Sequence, residues 1–325
     1  MDKDISSPHC IFCKAKLTVA VLKSVPKIGK IYDVTECAEC EIAMTHPFPS
    51  NDVLAELYSG GNYRTSEGKR FGSLIESLIH LGRIKKRRRI NKFVEPGKIL
   101  DIGCGRGLFL DVMRRGGWSA IGTELNEEIA SHAINTYDLQ ILPGDIIQHQ
   151  LPGESFNAIN INQVLEHLKN PHEVIEECYR LLRKGGVLII SVPDLRSLQF
   201  TIGKENWFLL DLPFHLFHFT EKGLSKLLQR NNFKVKRIKR FSLEISPFGW
   251  LQTLLNISRI RFNLLYDLLK SSELRGGEMK SIKPKGVIAT FLLLPLYFPV
   301  AFVLSILEPL LFKRGGSIEV YAVKD

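Results

Sequence analysis

Residues 97–240 alternate short apolar runs with stretches of helical periodicity, and this pattern predicts a parallel sheet flanked by helices. The predicted strands, in chain order, cover residues 98–102, 120–123, 139–142, 156–161, 187–192 and 233–241, with a last β-like run at 317–323. The predicted helices cover residues 108–115, 171–182 and 220–231. We therefore expect an α/β core over residues 96–245, completed by a final strand within residues 313–325.

The other zones of the chain have different patterns. Residues 1–46 hold short β-type runs, and residues 47–95 have the pattern of a helical linker that ends in a basic run at 83–89. Residues 246–312 are largely apolar. The expected organisation is a small N-terminal module, a linker, the α/β core, and an apolar insertion before the last strand of the core.

Composition and charge narrow the class of protein. The chain has 325 residues, 45% hydrophobic and 24% charged, which excludes a disordered or fibrous protein and allows one large domain with accessory modules. The formal net charge of +10 favours anionic partners such as nucleic acid, acidic lipid headgroups or phosphorylated substrates. The first residues lack the apolar core of a signal peptide, and six cysteines are too few for a disulfide scaffold. These features predict a protein of the reducing cytosol.

A glycine-rich loop follows the first predicted strand of the core. Asp101 is followed by Gly103, Gly105 and Gly107. A loop between a strand and a helix points backbone N–H groups outward, and glycine leaves room there for a ligand. Leu108 stands where a dinucleotide fingerprint needs its last Gly or Ala, so a dinucleotide site is disfavoured.

Two carboxylates follow the next two predicted strands. Glu124 ends the second strand, where it can accept hydrogen bonds from two ribose hydroxyls. Asp145 follows the third strand, where it can accept from an exocyclic adenine amine. Either residue alone could equally be a solvated loop residue, but their order after the glycine loop favours a site for such a ligand.

At these residues the chain resembles the class I S-adenosylmethionine-dependent methyltransferases, over residues 97–240. The resemblance rests on residues 99–107 (ILDIGCGRG), Glu124, residues 144–145 (GD), 162–167 (NQVLEH), 181–190 (LLRKGGVLII), 191–194 (SVPD) and 213–220 (PFHLFHFT). It implies a Rossmann-like sheet of seven strands with helices on both faces, and S-adenosylmethionine over the carboxyl ends of the first strands. The cofactor-binding residues implied are Asp101, Gly103, Gly105, Gly107, Glu124, Asp145 and Asn162.

The acceptor determines whether the enzyme needs a base. Because a sulfonium donor already carries a cationic leaving group, a general base is needed only for a hydroxyl or carbon-acid acceptor. The candidate catalytic residues are His167, His215, His218 and, as an orienting or basic carboxylate, Glu166. The resemblance implies that His215 and His218 lie near the acceptor pocket, although each histidine could instead be a packed structural imidazole. Gln163 replaces the first Glu of a Glu-x-x-Glu-His metal motif of some quinone O-methyltransferases, which disfavours a divalent metal there.

The N-terminal module carries two Cys-x-x-Cys pairs, separated by 23 residues. The predicted metal ligands are Cys10, Cys13, Cys37 and Cys40. Four thiolates from two such pairs form the closed tetrahedral geometry of structural zinc, and a small ribbon of this kind needs the metal to fold. Similar zinc modules precede the methyltransferase domains of sugar C-methyltransferases and of a ribosomal RNA guanine methyltransferase, which implies a recognition or docking module.

The apolar insertion contains residues 287–307, which carry no charge. A helix of this length would just cross a hydrocarbon core of about 30 Å. Pro295 and Pro299 lie inside the run, and the run separates two strands that pair in the resembled family. We therefore predict a bent hairpin that dips into the membrane, with Trp250, Tyr266 and Tyr297 as interfacial anchors.

Two neighbouring segments extend this membrane hypothesis. Residues 251–269 carry two arginines among leucines and predict a helix in the headgroup plane. The basic run at 83–89 fits a juxtamembrane cluster on anionic lipid, with an RNA-binding patch or a solvated helix face as alternatives.

Taken together, the sequence predicts an S-adenosylmethionine-dependent methyltransferase on the cytosolic side of the membrane, monotopic or peripheral. Its acceptor would be a small or lipid-linked molecule, such as a saccharide on a polyprenyl carrier or a quinone-like compound. One alternative is a zinc-ribbon RNA methyltransferase, which the apolar run at 287–307 disfavours because an enzyme acting on RNA has no use for it. Another is a membrane-bound scaffold that has kept the fold without catalysis.

Overall fold

The structure is a computed structural model, and it describes residues 9–27, 29–50, 53–54, 73–269 and 284–325. The described chain divides into two compact units. The first contains the chain up to Ile79, Pro193–Glu221 and Arg240–Ile318, and the second contains His80–Val192, Lys222–Lys239 and Glu319–Asp325. Each unit consists of segments from separate parts of the chain. The predicted division of the chain into consecutive zones, with boundaries at residues 46, 95, 245 and 312, stays a prediction.

The strands of the described residues are β1 (Leu17–Lys27), β2 (Lys30–Cys37), β3 (Ala43–His46), β4 (Lys98–Ile102), β5 (Ser119–Glu124), β6 (Gln140–Pro143), β7 (Phe156–Asn162), β8 (Leu182–Pro193), β9 (Phe217–His218), β10 (Phe233–Lys239) and β11 (Ser317–Lys324). The helices are α1 (Ser73–Ile90), α2 (Leu108–Arg114), α3 (Glu127–Tyr137), α4 (Pro171–Leu181), α5 (Leu198–Gly203), α6 (Glu221–Arg230), α7 (Ser246–Ile257), α8 (Leu264–Leu269) and α9 (Pro284–Leu311). Short 3₁₀ turns lie at Ile146–His149, Leu165–His167 and Lys204–Asn206.

The second unit is built on a seven-stranded sheet with the order β10-β11-β8-β7-β4-β5-β6. Strands β6, β5, β4, β7 and β8 run parallel, whereas β10 and β11 pair antiparallel at one edge. This confirms the predicted α/β sheet and its terminal pair. The central strands are mostly buried because helices cover parallel sheets on both faces.

Local sequence signals explain where the helices of this unit begin and which face they bury. Asn126 caps α3 by accepting a hydrogen bond from the backbone N–H of Ile129 (3.0 Å). Pro171 starts α4, where its missing N–H costs nothing. One stripe of α4 is then buried at helical spacing, namely Val174, Ile175, Cys178 and Leu181.

The first unit contains a second sheet, with the order β1-β2-β3-β9. Strands β1 and β2 form an antiparallel hairpin, and β3 pairs with both β2 and the two-residue strand β9. The pairing of Ala43 with His218 joins segments that are far apart in sequence. The short β-type runs predicted for the N-terminal module are therefore only part of this sheet, since β9 comes from the segment between the predicted fifth and sixth strands of the core.

The apolar insertion forms a helical cluster in the first unit, not a hairpin. Residues 287–307 lie within the continuous helix α9, which holds Pro295, Pro299 and Pro309 in its interior. The predicted hairpin is wrong, since the helix continues through these prolines and packs one of its faces on α7 and α8. A single helix, Pro284–Leu311, is long and apolar enough to cross a membrane among the described residues.

The predicted interfacial helix at residues 251–269 is also wrong. The segment is divided between α7 and α8, and Trp250 is fully buried. Its indole N–H donates to Glu308 Oε2 (2.9 Å), while the Tyr297 and Ser258 hydroxyls hydrogen-bond at 2.8 Å. The ring of Tyr266 packs against Phe208 with centroids 5.5 Å apart. The three aromatic residues expected as membrane anchors thus hold the helical cluster together.

Candidate cofactor site and cysteine cluster

The glycine loop connects β4 to α2 at the carboxyl edge of the parallel sheet. Gly103 and Gly107 have φ values of 69° and 73°, in the left-handed region that side chains disfavour. A Cβ on Gly103 would lie 2.6 Å from Val164, and one on Gly107 would lie 2.5 Å from Leu139. Glycine is therefore required at both positions by conformation and by space.

Glu124 at the end of β5 fixes this loop. Its Oε2 accepts a hydrogen bond from the backbone N–H of Gly105 (2.9 Å), and its Oε1 accepts from the N–H of Asn126 (3.1 Å). A carboxylate has about four lone-pair sites, so two remain for further donors. The structure shows that Glu124 organises the loop, whereas its predicted contact with ribose hydroxyls remains a prediction.

Asp101 lies below the loop and is buried. The side-chain amide of Asn160 donates to Asp101 Oδ1 at 2.6 Å, across the β4–β7 register. Burial raises the pKa of Asp101 to about 6, although this hydrogen bond and the charge of Lys86 oppose the rise. The sequence reasoning missed Asn160, and the available signal was an amide in the middle of a buried strand.

Asn162, at the end of β7, has an unexpected cationic partner. Lys86 of α1 donates to Asn162 Oδ1 (3.1 Å) and to Ser191 Oγ (3.3 Å), and forms an ion pair with Glu319 (3.3 Å). Lys86 is only 8% exposed. One member of the basic run therefore reaches the carboxyl edge of the sheet, at the end of a strand that carries a predicted cofactor residue.

Two more residues of the basic run at 83–89 are engaged within the second unit. Arg87 donates to the carbonyl oxygen of Val112 (2.7 Å), and Arg89 pairs with Glu319 (2.9 Å). Lys85 and Arg88 are exposed. Lys86, Arg87 and Arg89 thus each have a partner that the local sequence does not reveal, and the binding of the run to anionic lipid stays a prediction.

Asp145 begins the 3₁₀ turn Ile146–His149. Its Oδ1 accepts from the backbone N–H of Ile147 at 3.0 Å, and the residue is half-buried. This hydrogen bond caps the turn and orients the carboxylate at the end of β6. The predicted contact with an adenine amine remains a prediction.

The candidate catalytic residues are distributed over both units. Glu166 and His167 belong to the second unit, in the 3₁₀ turn Leu165–His167, with Glu166 buried. His215 and His218 belong to the first unit and are buried there.

His218 is held as a neutral imidazole. The Thr45 hydroxyl donates to the carbonyl oxygen of His215 (2.7 Å), so the hydrogen bond of 3.0 Å between Thr45 Oγ1 and His218 Nε2 assigns the imidazole proton to Nε2. Burial lowers the pKa of His218 to about 3. These contacts favour the packed structural alternative for His218, since a group of this kind does not take up a proton near neutral pH.

The two Cys-x-x-Cys pairs form one cluster in the first unit. The four sulfur atoms lie within 4.8 Å of one another, with Cys10 and Cys40, and Cys13 and Cys37, 3.4 Å apart. Four sulfurs bound tetrahedrally at about 2.3 Å from zinc would be about 3.8 Å apart, so the spacing fits such an ion. The thiol of Cys40 lowers the pKa of Cys10 to about 5, although burial opposes the shift.

The backbones of the two pairs are matched. In the first, Lys14 has φ 63° and donates its N–H to the carbonyl of Cys10 (2.9 Å). In the second, Glu41 has φ 61° and donates to the carbonyl of Cys37 (2.8 Å). Two equivalent turns on either side of the β1–β2 hairpin thus bring four thiols together. Lysine and glutamate are not residue types that indicate a positive φ, so the sequence does not predict the conformation of Lys14 or Glu41.

Comparison with known proteins identifies a family domain that covers most of the second unit together with Pro193–Glu221 of the first. Residues 78–238 match the model of a family described as "Methyltransferase domain". The core is an S-adenosylmethionine-dependent methyltransferase domain. The match ends one residue before the end of β10, and it includes the glycine loop, Glu124, Asp145 and Asn162.

Curated relatives of the methyltransferase domain have related names. A Mycolicibacterium smegmatis protein named "Probable S-adenosylmethionine-dependent methyltransferase" is 32% identical over 143 residues, which cover 42% of this chain and 52% of the relative. A "Ubiquinone biosynthesis O-methyltransferase" of Dechloromonas aromatica is 35% identical over 125 residues, covering 36% and 53%. The chain thus spans about half the length of the curated relatives it matches.

Solved structures also align with the chain. A SAM-dependent methyltransferase from Archaeoglobus fulgidus has 22% identity and a TM-score of 0.47, with 75% of this chain and 93% of that chain covered. The magnesium protoporphyrin IX methyltransferase of Synechocystis, solved with bound SAH, has 19% identity and a TM-score of 0.46, with 60% and 94% covered.

Proposed function

We propose that this protein transfers the methyl group of S-adenosylmethionine to a small-molecule or lipid-linked acceptor at the cytosolic face of a membrane. The observation that carries the methyl-transfer proposal is the loop at Gly103–Gly107, which lies at the carboxyl edge of β4 and β5 and is pinned by Glu124. In parallel sheets ligands bind at this edge.

The residues at this edge suit the cofactor chemically. Backbone N–H groups of the glycine loop can approach a bound ligand, because the left-handed backbone at Gly103 and Gly107 forms a tight turn between strand and helix. The remaining lone pairs of Glu124 and Asp145 can accept from hydroxyl and amine groups. The residues proposed to hold the cofactor are Asp101, Gly103, Gly105, Gly107, Glu124, Asp145 and Asn162.

When bound, S-adenosylmethionine supplies an electrophilic methyl group on a cationic sulfur. The chain then has to place the acceptor in line with that methyl group and, for a hydroxyl acceptor, to remove a proton. His167 and His215 are two separate candidates for the base, and Glu166 is the proposed orienting or basic carboxylate. His218 is left out of this role because its imidazole stays neutral and hydrogen-bonded to Thr45.

The acceptor class is proposed from two separate observations. Several relatives are named as ubiquinone biosynthesis O-methyltransferases, and ubiquinone is a quinone. The first unit also presents the apolar helix α9, which is long and apolar enough to cross a membrane. Both favour an apolar or lipid-linked acceptor that is met at a membrane.

Cofactor binding can be tested at the glycine loop by isothermal titration of the full chain with S-adenosylmethionine. We expect Gly107→Ala to weaken binding by about 30-fold or more, because the new methyl group would displace Leu139 and distort the loop. Gly185→Ala is the matched control, since Gly185 also has a positive φ (75°) but has open space around its Cβ position. No heat of binding from the parent chain would favour a scaffold without catalysis over the proposed enzyme.

We also propose that Cys10, Cys13, Cys37 and Cys40 hold a structural zinc ion. Elemental analysis of the purified chain should then give about one zinc per chain, as four thiolates form one closed site. Cys37→Ser should release the metal and unfold the sheet around the cluster, whereas Cys178→Ala, at a buried cysteine of α4, should retain it. A chain that is folded without metal and contains none would contradict the proposal.

A further inference from the structure

Helix α9 has two faces along its whole length. Thr290, Ala301, Ser305 and Glu308 are buried, and Leu293, Leu294, Tyr297 and Leu304 pack on the same cluster. These positions recur every three or four residues and therefore form one stripe. The opposite face carries large apolar side chains that remain exposed in the part of the chain that the structure describes, including Phe291, Leu292, Leu296, Phe302, Val303 and Leu310.

The exposed face is uniform and flanked by positive charge. Leu292 is 74% exposed and Leu310 is 69% exposed, and no charged residue occurs between Lys285 and Glu308. Lys285 at one end of the helix, and Lys313 and Arg314 after the other, are exposed. An apolar strip with basic ends is complementary to a bilayer surface that contains anionic headgroups.

The packed face of α9 is incompatible with a crossing. Tyr297 lies at the midpoint of the helix, and its hydroxyl is 2.8 Å from Ser258 Oγ. Directly after Ser258 come the exposed residues Arg259 and Arg261, the latter paired with Asp267 at 3.2 Å. If α9 crossed a bilayer, its midpoint would carry these arginines into the hydrocarbon, where charged groups are costly.

The carboxyl end of α9 is held to the same unit. Glu308 accepts from the backbone N–H of Leu198 (2.7 Å) and from the indole of Trp250 (2.9 Å). Helix α7 is in turn hydrogen-bonded to a neighbouring segment, since the side-chain amide of Asn256 donates to the backbone carbonyl of Asn206 (3.0 Å). The stripe from Thr290 to Glu308, about 27 Å long, is thus packed against protein from end to end.

We propose that α9 lies parallel to the membrane plane, with the face of Phe291, Leu292 and Phe302 in the outer part of one leaflet of an anionic bilayer. This inference rests on the membrane location proposed above and specifies its geometry. The protein is then monotopic by a single in-plane helix, and its first unit stays on one side of the bilayer.

The test measures depth at two points of the helix. Phe291→Trp and Phe302→Trp are introduced separately into the full chain, which is bound to vesicles of phosphatidylcholine and phosphatidylglycerol with bromine at defined acyl positions. The two sites are eleven residues apart, which would give a depth difference of about 16 Å for a crossing helix. The in-plane helix predicts maximal quenching at the same bromine position for both variants.

The native tryptophans provide the internal reference. Trp118, Trp207 and Trp250 are at most 3% exposed, so the parent chain should show little quenching. Different bromine positions for the two variants would overturn the in-plane geometry. Absence of quenching in both would overturn the membrane contact, and concentration-dependent dimers in solution would then assign the face to a second copy of the chain.

A second pair of variants tests the surface itself. The double change Leu292→Glu and Leu296→Glu should lower co-sedimentation with the same vesicles at least tenfold. Ile134→Glu, an exposed apolar position on α3, is the control and should leave it unchanged. Unchanged binding by the double variant would refute the proposal. These readouts do not involve methyl transfer, so failure of the proposed enzyme activity and failure of the in-plane helix are distinguishable.

Discussion

The basic run at residues 83–89 and the helix α9 each have an extreme composition, one basic and one apolar, but they differ in how far the protein itself covers them. Both sequences suggest a surface that meets a membrane. In the structure, Lys86, Arg87 and Arg89 turn inward and are bonded within the second unit, whereas α9 leaves one apolar face exposed in the first. The difference shows that composition indicates which partners a segment prefers, but not whether the chain itself supplies them.

Two cations of the basic run, Lys86 and Arg89, pair with Glu319 of β11. Its carboxylate lies 3.3 Å from Lys86, 2.9 Å from Arg89 and 3.8 Å from Lys239. Burial would raise the pKa of Glu319, but these three cations and the Tyr321 hydroxyl lower it to about 2. A single acid more than 200 positions away along the chain thus decides that part of the run packs inward.

The largest effect is therefore expected on removing this acid. Glu319→Ala should lower the free energy of unfolding by about 3–5 kcal/mol, because the buried cations lose their shared partner. Urea unfolding of the full chain measures the change, and Glu127→Ala at an exposed acid of α3 is the control. A loss below about 1 kcal/mol would show that the run is not held by Glu319.

The same carboxylate makes stability depend on pH. Since its pKa falls from 4.5 in the unfolded chain to about 2 in the folded one, its contribution of about 3 kcal/mol is present above pH 5. That contribution is lost as the pH falls from about 5 to about 2. Unfolding of Glu319→Gln should be correspondingly less sensitive over this range.

Neighbouring lysines within the run provide a smaller and more direct comparison. Lys86→Met should cost about 2 kcal/mol and weaken S-adenosylmethionine binding several-fold, because Asn162 and Ser191 lose the donor that orients them. Lys85→Met, at an exposed position, should change stability by less than about 0.5 kcal/mol. Urea unfolding measures the change in stability, and calorimetry measures the change in binding. Equal effects of the Lys86 and Lys85 changes would contradict the distinction between a buried, bonded lysine and an exposed one.

The smallest expected effect belongs to α9. Glu308→Ala should cost about 1.5 kcal/mol, since the buried indole of Trp250 and the N–H of Leu198 lose their acceptor. Leu310→Ala on the exposed face should cost about 0.5 kcal/mol or less in detergent-free buffer, because little area is buried there. A larger loss for Leu310 than for Glu308 would reverse the assignment of the two faces.

Local patterns predicted most of the methyltransferase domain. The strand bounds agree within five residues, because parallel strands need continuous apolar runs. The glycine loop and Glu124 were also predicted from the sequence, since the spacing of the glycines follows from the way a tight turn connects a strand to a helix. Helix α3 was missed, although Asn126 is a regular N-cap residue and its helix buries only a narrow apolar stripe.

The cysteine cluster shows where local prediction was sufficient and where it stopped. The spacing of Cys10, Cys13, Cys37 and Cys40 predicted that the four sulfurs meet, as the structure shows. The pairing of β3 with β9 was not predicted, because a two-residue strand carries no periodicity and its partner is about 170 residues away.

The amino-acid sequence alone predicted the α/β core, the glycine loop and the cysteine cluster, because apolar runs, glycine spacing and cysteine spacing are patterns that are visible along the chain. Tertiary structure alone decided that Lys86 reaches Asn162, that His218 is a buried neutral imidazole, and that α9 is a continuous helix packed on one side. The physical reason is common to the three cases: burial, charge pairing and helix packing depend on residues brought together from distant parts of the chain, and no local pattern encodes those partners.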